Sequence, residues 1–322
     1  MEEQRGLWMA RGDGDAGAWA TISGALRREE GRPAVGDWVG LHDNCIECVL
    51  PRRTRFSRQA AGSRTAEQVI AANVDTVFIV TSLNRELSLP RIERYLTSVW
   101  ESGAQPVVIL SKSDLMDDCS AELAEVSAIA PGVTVLPVSG IAGLGLDPLA
   151  AFLGPGQTVA LVGSSGVGKS TLINRLLGHD AQTVSGIRED DDRGRHTTTS
   201  RRLIPLPGGG LLLDTPGMRE FQLWVEPGES GEGIGQAFPE LDELAVDCRF
   251  RDCQHKEEPG CAVQLAIAEG RLDPRRMESF RKLEGELLHA AIKQDAALKS
   301  AQTKKWRKIH KAQRERLKLE RQ

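Results

Sequence analysis

Up to about Ser63 the apolar residues fall in short alternating stretches, "WATISGAL", "DWVGLHD" and "IECVLPR", broken by "REEGRPAVG" and "DN". Alternation over a few residues, with Gly and Pro at the breaks, predicts short β-strands. Strands at this spacing predict a small barrel, of OB-fold or SH3-like type. "RRTRFSRQAAGSRTAEQ" is basic, polar and poor in large apolar residues, and reads as a rim loop and linker. From Val69 the rhythm changes. "VDTVFIVTSL" and "PVVILSKSD" are continuous apolar runs, as in strands covered on both faces, and "LPRIERYLTSVWESG" between them has apolar residues at helical spacing and a closing Gly. "CSAELAEVSAIAPG" predicts a second helix, "VTVLPVSG" a third strand, "LGLDPLAAFLG" a third helix and "QTVALVG" a further strand. "RRLIPLPGGGLLLDTPG" then reads as two strands about a glycine turn. Such alternation predicts an α/β domain with a parallel sheet and crossover helices. Past Phe221 the chain becomes irregular and acidic through "EPGESGEGIGQAF", and it ends in a helical tail.

The strand "QTVALVG" runs into "GSSGVGKST", which fits G-x-x-x-x-G-K-[ST] and opens the helix "TLINRLLG". Strand and helix flanks are the context this phosphate-binding loop requires. Gly163, Ser164, Ser165, Gly166, Val167, Gly168 and Thr171 supply the turn and its backbone NH groups. Lys169 reaches the β and γ oxygens of a nucleotide, and the Ser170 hydroxyl ligates Mg²⁺. Asp214 ends the apolar strand "LLLD", so its carboxylate is expected to hold Mg²⁺ through water, with the Gly217 NH toward the γ-phosphate. Between these lies "SGIREDDDRGRHTTTS", Ser185 to Ser200, polar and without periodicity. Its position is that of a segment ordered by the γ-phosphate, and Thr198, among Thr197 to Thr199, is the expected Mg²⁺ ligand.

About fifty residues ahead of this loop stands "LSKSDL". Lys112 stacking on a base and Asp114 accepting from the guanine N1 and N2 donors would read guanine at a strand end. By itself a Lys-x-Asp is more often a surface turn. "PVSG", Pro137 to Gly140, ends the following strand and matches a loop whose backbone, through Ser139 and Gly140, meets the guanine oxygen. Guanine reader, base loop, phosphate loop, switch loop and Asp-x-x-Gly form a rotation of the usual GTPase order. The domain is therefore expected to be circularly permuted.

Cys248, Cys253, His255 and Cys261 give C-x4-C-x-H-x5-C, four ligands within fourteen residues. That set suits a closed, structural, tetrahedral Zn²⁺. Cys45 and Cys48 also form C-x2-C, but no second pair lies near them in sequence, and they read as core or edge residues of a strand. Composition excludes less: 40% apolar and 27% charged residues are ordinary for a globular protein of 322 residues. No run is long enough to span a bilayer and no secretory signal is visible, so the expectation is a cytoplasmic protein with no membrane partner. The net charge of −4 conceals an asymmetry. The tail from Lys304 to Gln322 holds nine Lys or Arg against two Glu, a balance of +7, which leaves −11 for the rest. A segment of that kind suits a polyanion, or is a solvated helix end on an acidic protein.

With these motifs the chain resembles the ribosome small-subunit-dependent GTPase family (RsgA, also called YjeQ). The likeness runs through "VGDWV", "RFSR", "GSSGVGKSTLIN", "GRHTTT", "LLDTPGMREF" and "CRFRDCQHKEEPGC". It implies an N-terminal OB-fold on ribosomal RNA over residues 1–66, a permuted GTPase over 67–222, and a zinc module with basic tail over 223–322. It also implies a role in late small-subunit maturation, and a monomer is expected. The family's guanine reader begins with Asn where this chain has Ser111, which removes an amide that would tie the base loop to the phosphate loop. Met218 follows Gly217, where many GTPases carry a water-orienting glutamine, so intrinsic hydrolysis should be slow. His196 either orients water instead or merely stabilises its loop. The leading reading is a GTPase completed by the small subunit. Its rival is a zinc-containing RNA-binding protein that uses GTP or GDP as a latch, and an ATPase or kinase would require Asp114 to be accidental.

Overall fold

The computed structural model describes residues 3–4, 6–12, 17–28, 32–59, 67–84, 87–178, 202–214 and 232–294. The N-terminal strands are β1 (Glu3–Gln4), β2 (Leu7–Ala10), β3 (Ala18–Ile22), β4 (Val39–His42) and β5 (Cys45–Val49). They form one sheet in the order β1-β2-β3-β5-β4, in which only β3 and β5 run parallel. Trp8, Ala20, Ile22, Leu26 and Ile46 make its small core. The end of "WATISGAL" is not strand. Ser23 Oγ accepts the Leu26 NH at 3.2 Å and starts a short helix, α1 (Gly24–Arg28), because a serine at a helix start satisfies an otherwise unpaired NH. Neither Cys45 nor Cys48 is a core residue, and Cys48 is paired on one side only, with Gly40. Strand β5 lies between β3 and β4, with Cys45 half-buried and Cys48 exposed on its surface.

The expected linker is a second departure. Residues Arg55–Gln59 (β6) and Glu67–Ala72 (β7) pair as an antiparallel ribbon, which spans the boundary expected at residue 66. One face of a ribbon needs few apolar residues. Here Phe56, Ala71 and Ala72 are fully buried, while the polar residues Arg55 and Ser57 that suggest a linker flank Phe56.

The next sheet has the order β10-β9-β8-β11-β13-β12. It is built from β8 (Thr76–Ser82), β9 (Gln105–Ser111), β10 (Thr134–Val138), β11 (Thr158–Val162), β12 (Arg202–Pro205) and β13 (Leu211–Asp214), of which only the edge strand β12 is antiparallel. Both faces are covered, which is why β8 and β11 are buried at every position. Val77, Ile79, Val108 and Leu110 pack under helices α2 (Leu89–Glu101) and α3 (Ser120–Ile129). Phe78, Val80, Val107 and Ile109 pack under α4 (Lys169–Leu177). The third predicted helix is a 3₁₀ segment, Asp147–Phe152. Its two anchors, Leu149 and Phe152, are three residues apart, the 3₁₀ repeat, and Phe152 stands edge-on to Phe78 at 5.9 Å.

Helices α5 (Glu232–Ala237), α6 (Pro239–Ala245), α7 (Ala262–Ala268) and α8 (Pro274–Gln294) enclose a separate core around Phe238, Leu241, Val263 and Met277. This module docks on α2. Buried Arg276 donates to Glu93 at 2.8 Å and to Glu240 at 2.6 Å, and it lies over the Phe238 ring at 4.3 Å. No helix among the described residues is long and apolar enough to cross a membrane.

Candidate functional site

Strands β10, β9, β8 and β11 are parallel, so their carboxyl ends share one edge of the sheet, where α/β folds bind ligands. Register brings the predicted motifs together there: Ser111 lies beside Ser82 on one side and beside Val138 on the other. The chain leaves β9 through Lys112, whose left-handed backbone (φ 59°) turns it into the 3₁₀ turn Ser113–Leu115. Asp114 stands exposed in that turn, available to a ligand. Ser139, fully buried, accepts the Ala142 NH on its hydroxyl at 2.9 Å and so shapes the base loop rather than meeting a ligand with its side chain. Gly140 comes close to the phosphate-loop helix: a Cβ there would lie 3.1 Å from the Thr171 methyl.

The phosphate loop leaves β11 at Gly163 with φ 141°, where any Cβ would stand 2.2 Å from the Val80 carbonyl. Only glycine fits that exit. Ser165 and Gly166 are exposed at the tip, Val167 drops its side chain into the core beneath, and Gly168 caps α4, whose first turn carries Lys169, Ser170 and Thr171. The Lys169 ammonium donates to the carbonyls of Gly163, at 2.6 Å, and Ser164, which holds it at the mouth of the loop.

The predicted loss at Ser111 is corrected by this geometry. Its hydroxyl lies 2.5 Å from the Val167 carbonyl and 3.1 Å from that of Thr81, and its one proton goes to the nearer. The end of β9 is thus tied to the phosphate loop by a hydroxyl in place of an amide. Asp214 ends β13, parallel to β11. Thr198, His196, Gly217, Met218 and the basic tail lie outside the described residues.

Two residues of this site carry no motif signal. Arg91 and Tyr95, one helical turn apart on α2, both bond the Ser164 hydroxyl, Arg91 at 2.8 Å. Burial pushes the Tyr95 phenol above its usual range, against the opposing pull of Arg91, the Ser164 hydrogen bond and Arg94, so it stays neutral.

Some distance away in the C-terminal module, Cys248, Cys253, His255 and Cys261 bring their ligand atoms within 4.8 Å of one another. Cys248 and Cys261 sulfurs are 3.9 Å apart, and each lies 3.5 Å from His255 Nδ1. A tetrahedral Zn²⁺ with Zn–S bonds of about 2.3 Å sets its sulfurs about 3.8 Å apart, so the four residues fit that ion. A disulfide, at about 2.05 Å, is excluded for this pair. His255 reaches the cluster from a left-handed backbone (φ 57°), and its carbonyl is held by Gln264 at 2.6 Å. Desolvation pushes the Cys253 thiol up to about 11. Desolvation also raises Cys248, but hydrogen bonds from the Ala262 and Val263 NH groups and the thiols of Cys261 and Cys253 outweigh it and hold that thiol low. A second thiolate beside the first needs a cation to form.

Residues 49–224 match the family described as RsgA GTPase. The small ribosomal subunit biogenesis GTPase RsgA of Opitutus terrae is 48% identical over 319 residues, which cover 94% of this chain and 86% of that one. The protein of the same name from Methanosarcina acetivorans is 47% identical over 296 residues, covering 90% and 79%. Among solved structures, YjeQ from Thermotoga maritima superposes with a TM-score of 0.63 at 27% identity, over 84% of this chain and 90% of that one. YloQ, a circularly permuted GTPase, superposes with a TM-score of 0.61 at 24% identity, over 88% and 92%.

Proposed function

The chain belongs to the RsgA GTPase family, and from that premise we propose that it hydrolyses GTP to GDP and phosphate in the maturation of the small ribosomal subunit. The observation that carries this reading is the Ser111–Val167 hydrogen bond, because it makes a guanine reader and a phosphate loop, 56 residues apart, into one site. Within it, Asp114 selects guanine, Lys112 covers the base, and Ser139 and Gly140 set the loop around the guanine oxygen. Residues Gly163 to Thr171 hold the phosphates. Mg²⁺ is held by Ser170, Thr198 and Asp214, and the Gly217 NH meets the γ-phosphate. When bound, Mg²⁺ neutralises charge between the β and γ oxygens. Zn²⁺ on Cys248, Cys253, His255 and Cys261 is structural, since four protein ligands leave it no open position.

We divide the chain into a barrel (1–66), a permuted GTPase domain (67–222) and a zinc module with its basic tail (223–322). A five-stranded sheet with exposed Trp38 and Leu50 on neighbouring positions supports an OB-fold that meets ribosomal RNA. None of the six cysteines is in a disulfide, in keeping with a reducing cytoplasm, and we take the protein to act as a monomer.

The test is phosphate release from GTP by the purified protein, with and without small ribosomal subunits, at low and high salt. A large stimulation that weakens as salt rises is expected, because RNA docking releases counterions. Unchanged slow turnover with nucleotide binding intact would favour a GTP-dependent latch instead, the reading that Met218 motivates.

A further inference from the structure

Outside the recognised motifs and among the described residues, helix α2 reaches the phosphate loop with a charged side chain, Arg91. Pro90 starts it, which suits a first helical turn, and four-residue spacing stacks Arg91 and Tyr95 on one face. Both meet Ser164, the second residue of the loop. The Arg91 guanidinium donates to its hydroxyl at 2.8 Å, and Tyr95 bonds the same hydroxyl. The Ser164 carbonyl accepts the Lys169 ammonium. Two cations from different elements therefore converge on one residue, one through its hydroxyl and one through its carbonyl. Lys169 is the group that reaches the β and γ oxygens, so the residue both cations share lies at the end of the loop where hydrolysis builds negative charge.

Arg91 is exposed, and its guanidinium is held at the surface of the phosphate loop on the Ser164 hydroxyl. Tyr95 is buried, the one tyrosine of the chain, and its phenol bonds the same Ser164 hydroxyl. The pair has the form of a cation held by a rigid support.

We propose that Arg91 is a positioning residue for GTP hydrolysis: fixed on Ser164 with Tyr95 as support, it adds positive charge in cis beside Lys169, at the γ-phosphate end of the site. The inference rests on the GTPase reading. It answers a need that the sequence raises, since Met218 offers no polar group for the attacking water. An arginine that stabilises the transition state assists more than the ground state, so its removal should lower the rate of the chemical step and leave diphosphate binding alone.

The experiment measures single-turnover hydrolysis on small subunits, with affinities for GDP and for GDP–aluminium fluoride, in the full-length parent protein and in R91A, R91K and Y95F. Loss of one preorganised charge contact predicts a slowing of roughly tenfold or more in R91A. Aluminium fluoride binding should weaken in step while GDP affinity stays within about twofold. R91K should recover part of the rate because it keeps the charge, and Y95F should fall between R91A and the parent. An R91A protein as fast as the parent overturns the proposal. So does a parallel loss of GDP and GDP–aluminium fluoride affinity, which would mean that Arg91 only shapes the loop. A parent without turnover, even on subunits, would sink the GTPase reading and this inference with it.

Discussion

Ser111 shows how much one hydroxyl can carry. In sequence it is a missing amide, and the inference from that is a weakened link between base and phosphate loops. In the structure its Oγ meets the Val167 carbonyl at 2.5 Å, within a wholly buried strand end. Removing it in Ser111→Ala would leave that carbonyl without its donor, at a cost of about 1 kcal/mol, or roughly fivefold in GDP affinity. Titration with a fluorescent GDP analogue checks this, and an unchanged dissociation constant would show that the link does not support binding. What was legible at this scale were residues that carry their chemistry in their spacing: Lys112 and Asp114, Gly163 to Ser170, and the Cys₃His set. Ser111's compensation, and the convergence of Arg91 on Ser164 across 73 positions, were not legible, because hydrogen bonds between distant segments leave no local pattern.

Among the elements, α2 and the zinc loop bear the most. Buried strands announced themselves as apolar runs, whereas the β6–β7 ribbon looked like a linker because β6 carries one large apolar residue, Phe56, among polar ones. Helix α2 was predicted from its period, but its period does not tell that Glu93 is 2% exposed and paired with Arg276 of α8. Glu93 already has one carboxylate oxygen buried without a partner. Arg276→Ala would leave the whole carboxylate uncompensated, which costs about 3–5 kcal/mol. Hydrogen exchange should report it as lost protection in α7 and α8, with α4 unaffected. For the zinc loop, a chelator should unfold the same two helices, since the thiols and imidazole would lose the ion that gathers them. Binding must also strip protons from the thiols, Cys253 above all, whose pKa stands at about 11 without the metal. Zinc affinity should therefore rise with pH and fall on acidification, and competition with a chromophoric chelator between pH 6 and 8 measures that slope. A pH-independent affinity would mean that the thiols are not the ligands.

For the whole molecule the question is how a contact on the N-terminal sheet reaches the nucleotide. The order of motifs makes the permuted GTPase legible in the sequence, but the joint between the N-terminal sheet and the GTPase sheet is built from single bonds that no pattern announces. Asn73, at φ 54°, is its pin: its side chain donates to the Gly36 carbonyl at 3.0 Å and accepts the Arg53 NH at 2.9 Å. The Arg55 NH meets the Ser102 carbonyl at the end of α2 at 3.0 Å, and Glu101 beside it accepts the Gly233 NH of the C-terminal module, also at 3.0 Å. The β6–β7 ribbon and the C-terminal module thus both fasten to the far end of the helix whose first turns reach Ser164. Asn73→Ala removes both side-chain bonds and puts a Cβ without compensation in a left-handed backbone, an added cost of about 1 kcal/mol that Asn73→Gly avoids. The joint should loosen in the order Asn, Gly, Ala, seen as faster proteolysis near residues 52–73. Intrinsic GTP turnover should stay unchanged while stimulation by small subunits falls in the same order. Equal stimulation in all three proteins would mean that the partner acts on the nucleotide site directly, without leaning on the joint.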